Sequence, residues 1–287
     1  MSYTISHNLT QQPKLPLLFS KAILGSKKKS TDIPVINVSL NGVKADRKKV
    51  KEYAKVCGFE GIETLPVTYP HILAFPLHMQ ILVSDEFPYP LLGLVHVSNE
   101  ITQYREIKTN ERLDYFCSLA EKRDVEKGEE FDIYTRVESN GETVWESVST
   151  MLNRSKSKDS GSKTPPAETP DFGADGVNQW SVKSDIGRRY ARVSGDFNLI
   201  HIHKVTAKLF GFNSAIAHGM WSKAHLLAQL NEQLPQGPFK VSVKFKLPML
   251  LPAQVQLQHK KAGEGIEFQL MDKTGEKPHL AGSIVSV

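Results

Sequence analysis

Cysteine is nearly absent from this chain. Its 287 residues include two, Cys57 and Cys117, and neither sits in a CxxC pair or at a Cys/His metal-ligand spacing. That excludes a disulfide framework and points to a reducing compartment. No apolar run approaches the roughly 20 residues that cross a bilayer. The N-terminal "MSYTISHNLTQQPK" lacks the basic start and apolar block of a secretory signal, so the expected location is cytoplasmic, with no membrane partner. Aromatic residues interleaved with Lys or Arg, the platform for nucleic acid, are also missing. Charge of one sign is only mildly in excess: the formal net charge is +5, which favours anionic ligands without naming one. The basic run Lys27-Lys28-Lys29 lies among Gly and Ser and reads as a solvated loop. No motif calls for a metal.

What is present is an apolar content of 40%, enough for a globular core, and a chain that divides. Residues 155–171, "SKSKDSGSKTPPAETPD", carry no aliphatic side chain larger than alanine and read as a connector. It separates residues 1–154 from 172–287, each the size of one domain. The halves repeat one another. "YAKVCGF" (53–59) corresponds to "YARVSGDF" (190–197), the latter longer by Asp196. The apolar stretch 70–88, with a predicted helix over 70–84, corresponds to 217–235. Each is followed by alternating, strand-like sequence, "LVHVSNEI" from Leu94 and "KVSVKFKL" from Lys240. Asn140-Gly141 marks a tight hairpin between segments 129–139 and 142–153. The expected class is α+β, each half one long helix covered by an antiparallel sheet. The halves differ in one place. Tyr53 precedes His71 by 18 positions and Tyr190 precedes His218 by 28, so the segment holding "DFNLIHIHK" belongs to the second half alone.

The runs "SGDFNLIH", "FGFNSAIAHGM" and "VKFKLP", in that order within about 184–252, resemble the signature of the MaoC-like (R)-specific enoyl thioester hydratases and dehydratases. The whole chain resembles the two-hotdog members of that family, in which only the C-terminal hotdog keeps the site. The resemblance implies a double hotdog with a degenerate first half. It implies reversible hydration of trans-2-enoyl thioesters, or dehydration of (3R)-hydroxyacyl thioesters, in fatty-acid metabolism. Coenzyme A or acyl carrier protein would enter as part of the substrate, with no separate cofactor, and the molecule would be a monomeric pseudo-dimer or a homodimer. Leu199 stands where the family has proline, and His203 where Asp or Asn is usual. The rival reading is an acyl-thioester-binding hotdog without turnover.

Chemistry assigns the residues. Hydrating a conjugated thioester needs a water-activating group, a proton relay at the α-carbon and donors for charge on the thioester oxygen. Asp196 and His201 supply the first two. The backbone amide of Gly219, at the expected start of a helix, supplies the third. Taken alone, Asp196 after glycine also suits a helix cap or turn. Asn198, Ser194 and Tyr190 are expected to organise the site, Asn198 by hydrogen bonds that hold the loop. His218, Met220, Lys244, Lys246 and Ala74 are candidate substrate contacts, with Ala74 on the helix beside the acyl chain. His203 and His218 also fit as core histidines. Ser194 and Ser222 lie outside any G-x-S-x-G setting and are not expected nucleophiles. Trp221, Leu226, Leu227 and Leu230 read as core. Arg188, Arg189, Arg192, Lys244 and Lys246 either meet a carrier phosphate or are solvated.

Overall fold

Both copies of the repeated Tyr-Ala segment turn out to end a helix on a left-handed glycine. In the computed structural model, which describes residues 4–24, 33–91, 93–154 and 172–287, the first half runs β1 (Thr4–Leu9), α1 (Leu15–Leu24), β2 (Val35–Lys44), α2 (Arg47–Cys57), α3 (Tyr69–Leu82), β3 (Leu94–Gln103), β4 (Arg112–Val125), β5 (Gly128–Ser139) and β6 (Glu142–Arg154). The second runs β7 (Gly176–Val182), α4 (Ile186–Ser194), α5 (Leu199–Ile202), α6 (Lys204–Lys208), α7 (Gly219–Gln229), β8 (Phe239–Phe245), β9 (Ala253–Ala262), β10 (Gly265–Asp272) and β11 (Pro278–Ser286). The connector 155–171 and the Lys27–Lys29 run lie outside the described residues. Gly58 closes α2 at φ 89° and Gly195 closes α4 at φ 79°. Their amides donate to Ala54 O at 2.7 Å and Ala191 O at 2.8 Å. A β-carbon disfavours that conformation, which explains the repeated glycine. The two helices pack together, with the Tyr53 and Tyr190 rings 6.1 Å apart.

The strands form one 11-stranded sheet in the order β1-β2-β4-β5-β6-β3-β8-β11-β10-β9-β7. Outward from the central β3–β8 pair, β6, β5, β4 and β2 on one side answer β11, β10, β9 and β7 on the other, and β1 adds in parallel at one edge. The chain is a double hotdog of α+β class. Its seam is the antiparallel β3–β8 ladder, from Ser98 opposite Lys244 to Gln103 opposite Phe239. The hairpin between β5 and β6 turns on Asn140 (φ 52°) and Gly141 (φ 80°), the geometry of a tight primed turn.

The sheet wraps α3 and α7. Helix α3 is apolar almost all round and buries residues on every face, from Tyr69 and His71 through Ala74 and Leu77 to Leu82, as a central helix must. In α7 the fully buried Leu226 and Leu227 each contribute about 1.5–3 kcal/mol of hydrophobic stabilisation. Helix α7 is also tied to the other half: Trp221 Nε1 donates to Val56 O at 3.2 Å and His225 Nδ1 donates to Cys57 O at 2.8 Å. These bonds serve carbonyls that the end of α2 leaves free.

Lys223, in the middle of α7, has no exposed surface. Its Nζ donates to Asn99 Oδ1 at 2.7 Å, Asn99 O at 3.1 Å and Val241 O at 3.2 Å. One ammonium thus uses three hydrogens on both strands of the seam. Burial pulls its pKa well below that of an exposed lysine, and Glu100 opposes the shift. Replacing Lys223 with Met keeps the volume but strands three acceptors, and a buried polar atom without a partner costs about 1–3 kcal/mol. Lys223→Met is expected to lower the unfolding free energy by about 2–4 kcal/mol in urea titration; a loss under about 0.5 kcal/mol would show the seam does not need it.

Candidate active site

The second half's extra segment begins where α4 stops. The Asp196 amide donates to Ser194 Oγ at 3.1 Å, and Asp196 Oδ1 accepts from the Asn198 amide at 3.1 Å, an Asx turn that fixes the carboxylate. The His201 amide then donates to Asn198 O at 3.0 Å, starting the single turn α5. Gly187 in α4 lets this turn sit close, since a β-carbon there would collide with His201 O. Arg188 Nη1 donates to Ile202 O at 3.3 Å across the same contact.

Two imidazoles are oriented by carbonyls far along the chain. His201 Nδ1 lies 2.9 Å from Ile216 O and His218 Nε2 lies 3.0 Å from Asp196 O. A carbonyl only accepts, so each of these nitrogens carries the hydrogen and the lone pairs fall on His201 Nε2 and His218 Nδ1. The rings stack with centroids 3.7 Å apart, and Tyr190 packs on His218 at 4.9 Å. Burial pulls the His201 pKa below the ordinary imidazole value against the opposing influence of Asp196 and the Ile216 bond. His218 is pulled well below it, by burial first and by His201 second. Both rings are therefore neutral near pH 7. The Asp196 side chain keeps 31% of its surface exposed and His201 is half-buried, whereas His218 is buried. The atoms of Asp196, His201 and His218 able to ligate a cation lie within 4.8 Å of one another, a donor set compatible with a held water or a divalent ion.

Gly219 is the first residue of α7, and its N-cap His218 makes no side-chain bond to the helix amides. Those amides have no intrahelical acceptor and sit at the positive end of the helix dipole. A β-carbon on Gly219 would lie 2.8 Å from the Phe245 ring, so the glycine lets helix and strand close on one another.

These groups open on a cavity of about 430 Å³ that continues into the first half. Asp196, His201, Gly219, Asn198, Ser194 and Tyr190 line it, as do His218, Met220 and Lys246. Three expectations need correction, those for Ala74, Lys244 and His203. Ala74 does not line it: α3 turns Ile72, Phe75 and Met79 toward the cavity, and Ala74 is fully buried in the core. Lys244 does not line it either; it is exposed on β8, while Lys246, just past the strand end, reaches the cavity. Asn198 holds the loop through its backbone, and its Oδ1 is buried without a partner among the described residues. His203 is no core residue but an exposed cap whose Nδ1 accepts from the Val205 amide at 3.2 Å. Sequence reasoning also missed Lys223, Phe245, His78 and His96. The available signals were a lone lysine in an apolar helix, and His71 and His78 spaced two helical turns apart.

Residues 165–282 match a family model described as the MaoC like domain. The chain is 32% identical over 257 residues to the 3-hydroxyacyl-thioester dehydratase X of Mycobacterium tuberculosis, covering 89% of this chain and 91% of that protein. It superposes on a crystal structure of M. tuberculosis HtdX with a TM-score of 0.76 at 31% identity, covering 88% of this chain and 100% of that one. A MaoC-like dehydratase from Phytophthora capsici matches at TM-score 0.72 and 19% identity, over 89% of this chain and 96% of the other, which shows the shared fold.

The cavity histidines make stability depend on acid. Burial holds His78 down at about 3 and His96 at about 4, whereas unfolded imidazoles titrate near 6.5. Between those values the unfolded chain binds more protons, so stability is complete above about pH 6.5 and falls as pH drops toward 4, by about 1.4 kcal/mol per pH unit for each histidine. Urea unfolding measured from about pH 7 to 4.5 is expected to show this slope, and His78→Asn is expected to flatten it by one histidine's share. An unchanged slope in that variant would show that His78 is not held neutral.

Proposed function

The chain belongs to the MaoC-like dehydratase family, and from that premise we propose that it catalyses the reversible hydration of trans-2-enoyl thioesters, equivalently the dehydration of (3R)-hydroxyacyl thioesters, in fatty-acid metabolism. One observation carries the reading: the Ile216 carbonyl fixes the His201 tautomer and leaves a neutral Nε2 lone pair in a cavity that Asp196 also lines, ligating atoms of the two residues lying within 4.8 Å, and that holds the first amides of α7. In the hydration direction, water sits between Asp196 and His201. His201 Nε2 takes a proton as the water oxygen bonds to C3, and the C2–C3 double bond shifts its electrons toward the thioester carbonyl. The oxygen that gains charge is met by the Gly219 N–H, and one such donor is worth about 3–4 kcal/mol in comparable sites. The same pair returns the proton to C2 from the face that delivered the hydroxyl, giving syn addition. Dehydration is the reverse.

The carrier is coenzyme A or acyl carrier protein. Lys246 and Arg154 both line the cavity, and the exposed Leu247, Leu250, Phe197 and Leu199 belong to the segments around Lys246, a surface suited to an amphipathic pantetheine arm. Hydration rates for one enoyl group on each carrier separate the two.

Asp196→Asn and His201→Ala are each expected to lower kcat by about 10²–10⁴-fold with the thermal unfolding midpoint preserved. The readout is loss of the conjugated thioester absorbance of crotonyl-CoA. Retention of more than about a tenth of turnover by either folded variant, or a (3S) product on chiral analysis, counts against the assignment. Because burial lowers the His201 pKa, kcat/KM is expected to be flat at neutral pH and to fall only below about pH 6.5.

Met79 faces the cavity where Ala74 does not, so Met79→Trp is the substitution expected to narrow the acyl channel. It should lower kcat/KM for long enoyl chains well beyond its effect on crotonyl-CoA, with unfolding measured alongside because overpacking costs about 1–3 kcal/mol. Equal losses for both substrates in the folded variant would place the acyl chain elsewhere.

A further inference from the structure

Three histidines of the first half line the same cavity and take no part in the hydration derived above: His71 and His78 on α3 and His96 on β3. The His71 ring lies 5.2 Å from His78 and 6.4 Å from His96, centroid to centroid. His78 Nε2 is bonded to Thr135 Oγ1 at 2.7 Å, and the His96 ring is anchored on the Ser98 backbone. His71 Nδ1 and His96 Nε2 remain buried without a hydrogen-bond partner among the described residues. Around them the cavity is lined by the apolar Met79, Leu94, Ile133 and Met151 and by the polar Ser149 and Arg154, and the buried Lys223 acts on His71 and His96. Burial keeps all three rings neutral, so each has one N–H and one lone pair to offer.

Buried nitrogens without partners are rare and costly, and in a ligand cavity their partner arrives with the ligand. A plain hydrocarbon chain cannot supply it. A hydroxyl can, because it donates to an imidazole lone pair and accepts from a ring N–H. The cluster also lies on the route from the reacting carbons: His96 packs on Phe245 at 5.0 Å, and Phe245 lies against Gly219, where the thioester oxygen is to bind. We propose that His71, His78 and His96 form a polar acyl subsite that selects thioesters whose chain bears a hydroxyl group beyond the reacting carbons. The proposal rests on the reaction assigned above and names the class of acyl group it acts on.

The test uses the full chain and long trans-2-enoyl-CoAs of one length, unsubstituted or carrying a single hydroxyl at successive positions toward the far end. At one or two positions the hydroxyl is expected to raise kcat/KM about tenfold over the plain chain, the change that one satisfied buried hydrogen-bonding group produces. In His71→Leu/His96→Leu that ratio is expected to fall to about one, with the plain chain's own kcat/KM rising. If the double variant does not fold, His96→Leu alone, compared with the hydrogen-bonding His96→Gln, reads the same effect: the preference is lost in the first and kept in the second. Wild-type preference for the plain chain at every position, or a preference that survives in His96→Leu, overturns the subsite. Hydration of crotonyl-CoA by the wild-type protein tests the reaction separately. Calorimetric binding of saturated acyl-CoAs, plain and hydroxylated, reads the subsite without turnover, so failure of one conclusion is distinguishable from failure of the other.

Discussion

The placement of α7 against the seam turns on one amine in a place where water cannot reach. Lys223 occupies the middle of α7 with three acceptors on β3 and β8. Removing a charge from water costs several kcal/mol, so such a group is tolerated only with every hydrogen used, and that requirement allows one helix register. Gly219 lies one turn earlier, so the register that satisfies Lys223 also sets where the free amides of α7 point. Trp221 and His225 follow on the face that meets α2 and cap its last carbonyls. Seam, inter-half packing and amide direction are thus three consequences of one helix placement.

The pseudo-two-fold plan explains why one half can hold a reaction and the other a pocket. Both halves place a histidine at the start of their central helix, His71 and His218. In the second half the inserted Asp196 loop returns a carbonyl to His218 Nε2, and the ring becomes a fixed wall under His201. In the first half α2 ends at Gly58 with no such insertion, and no loop carbonyl reaches His71 among the described residues; its Nδ1, like that of His218, has no hydrogen-bond partner among them. The same helix–glycine scaffold therefore lines one cavity with the Asp196 loop, His201 and His218 from the second half and with His71, His78 and His96 from the first. The cavity of about 430 Å³ joins the two.

Much of this was legible in the sequence, for reasons that also mark its limits. The repeated Tyr-Ala segments, the Asn-Gly turn and the "SGDFNLIH" and "AHGM" runs are local signals, and local backbone requirements produce them. Facing is different. Because α3 is buried on all sides, its apolar pattern has no preferred direction, and nothing in it separates Ala74 in the core from Phe75 at the cavity. On β8 the alternation correctly turns Lys244 outward, but Lys246 lies past the strand end, where the alternation lapses. The state of His201 is decided by the Ile216 carbonyl, 15 positions away, a contact that no spacing rule describes. A lysine among apolar helix residues reads as a solvated head on a buried stem; only the three acceptors from two other strands show otherwise.

Leu199 sets this chain apart from the usual family motif, and the structure shows which bonds hold the turn around it. The position is the first of α5, where proline would pre-set φ without losing a needed donor. Here the turn is held by hydrogen bonds that use no N–H of Leu199. The Asn198 amide binds Asp196 Oδ1, the His201 amide binds Asn198 O, and Thr206 Oγ1 reaches back to Leu199 O at 2.7 Å. The last bond ties α6 to the turn, and His203 caps α6 from the position where the family usually has an acid or amide. The turn is held by a short network that spans residues 196–206. Leu199 then leaves the geometry of Asp196 and His201 to their own backbone bonds, with its side chain at the surface of the segment that enters the cavity.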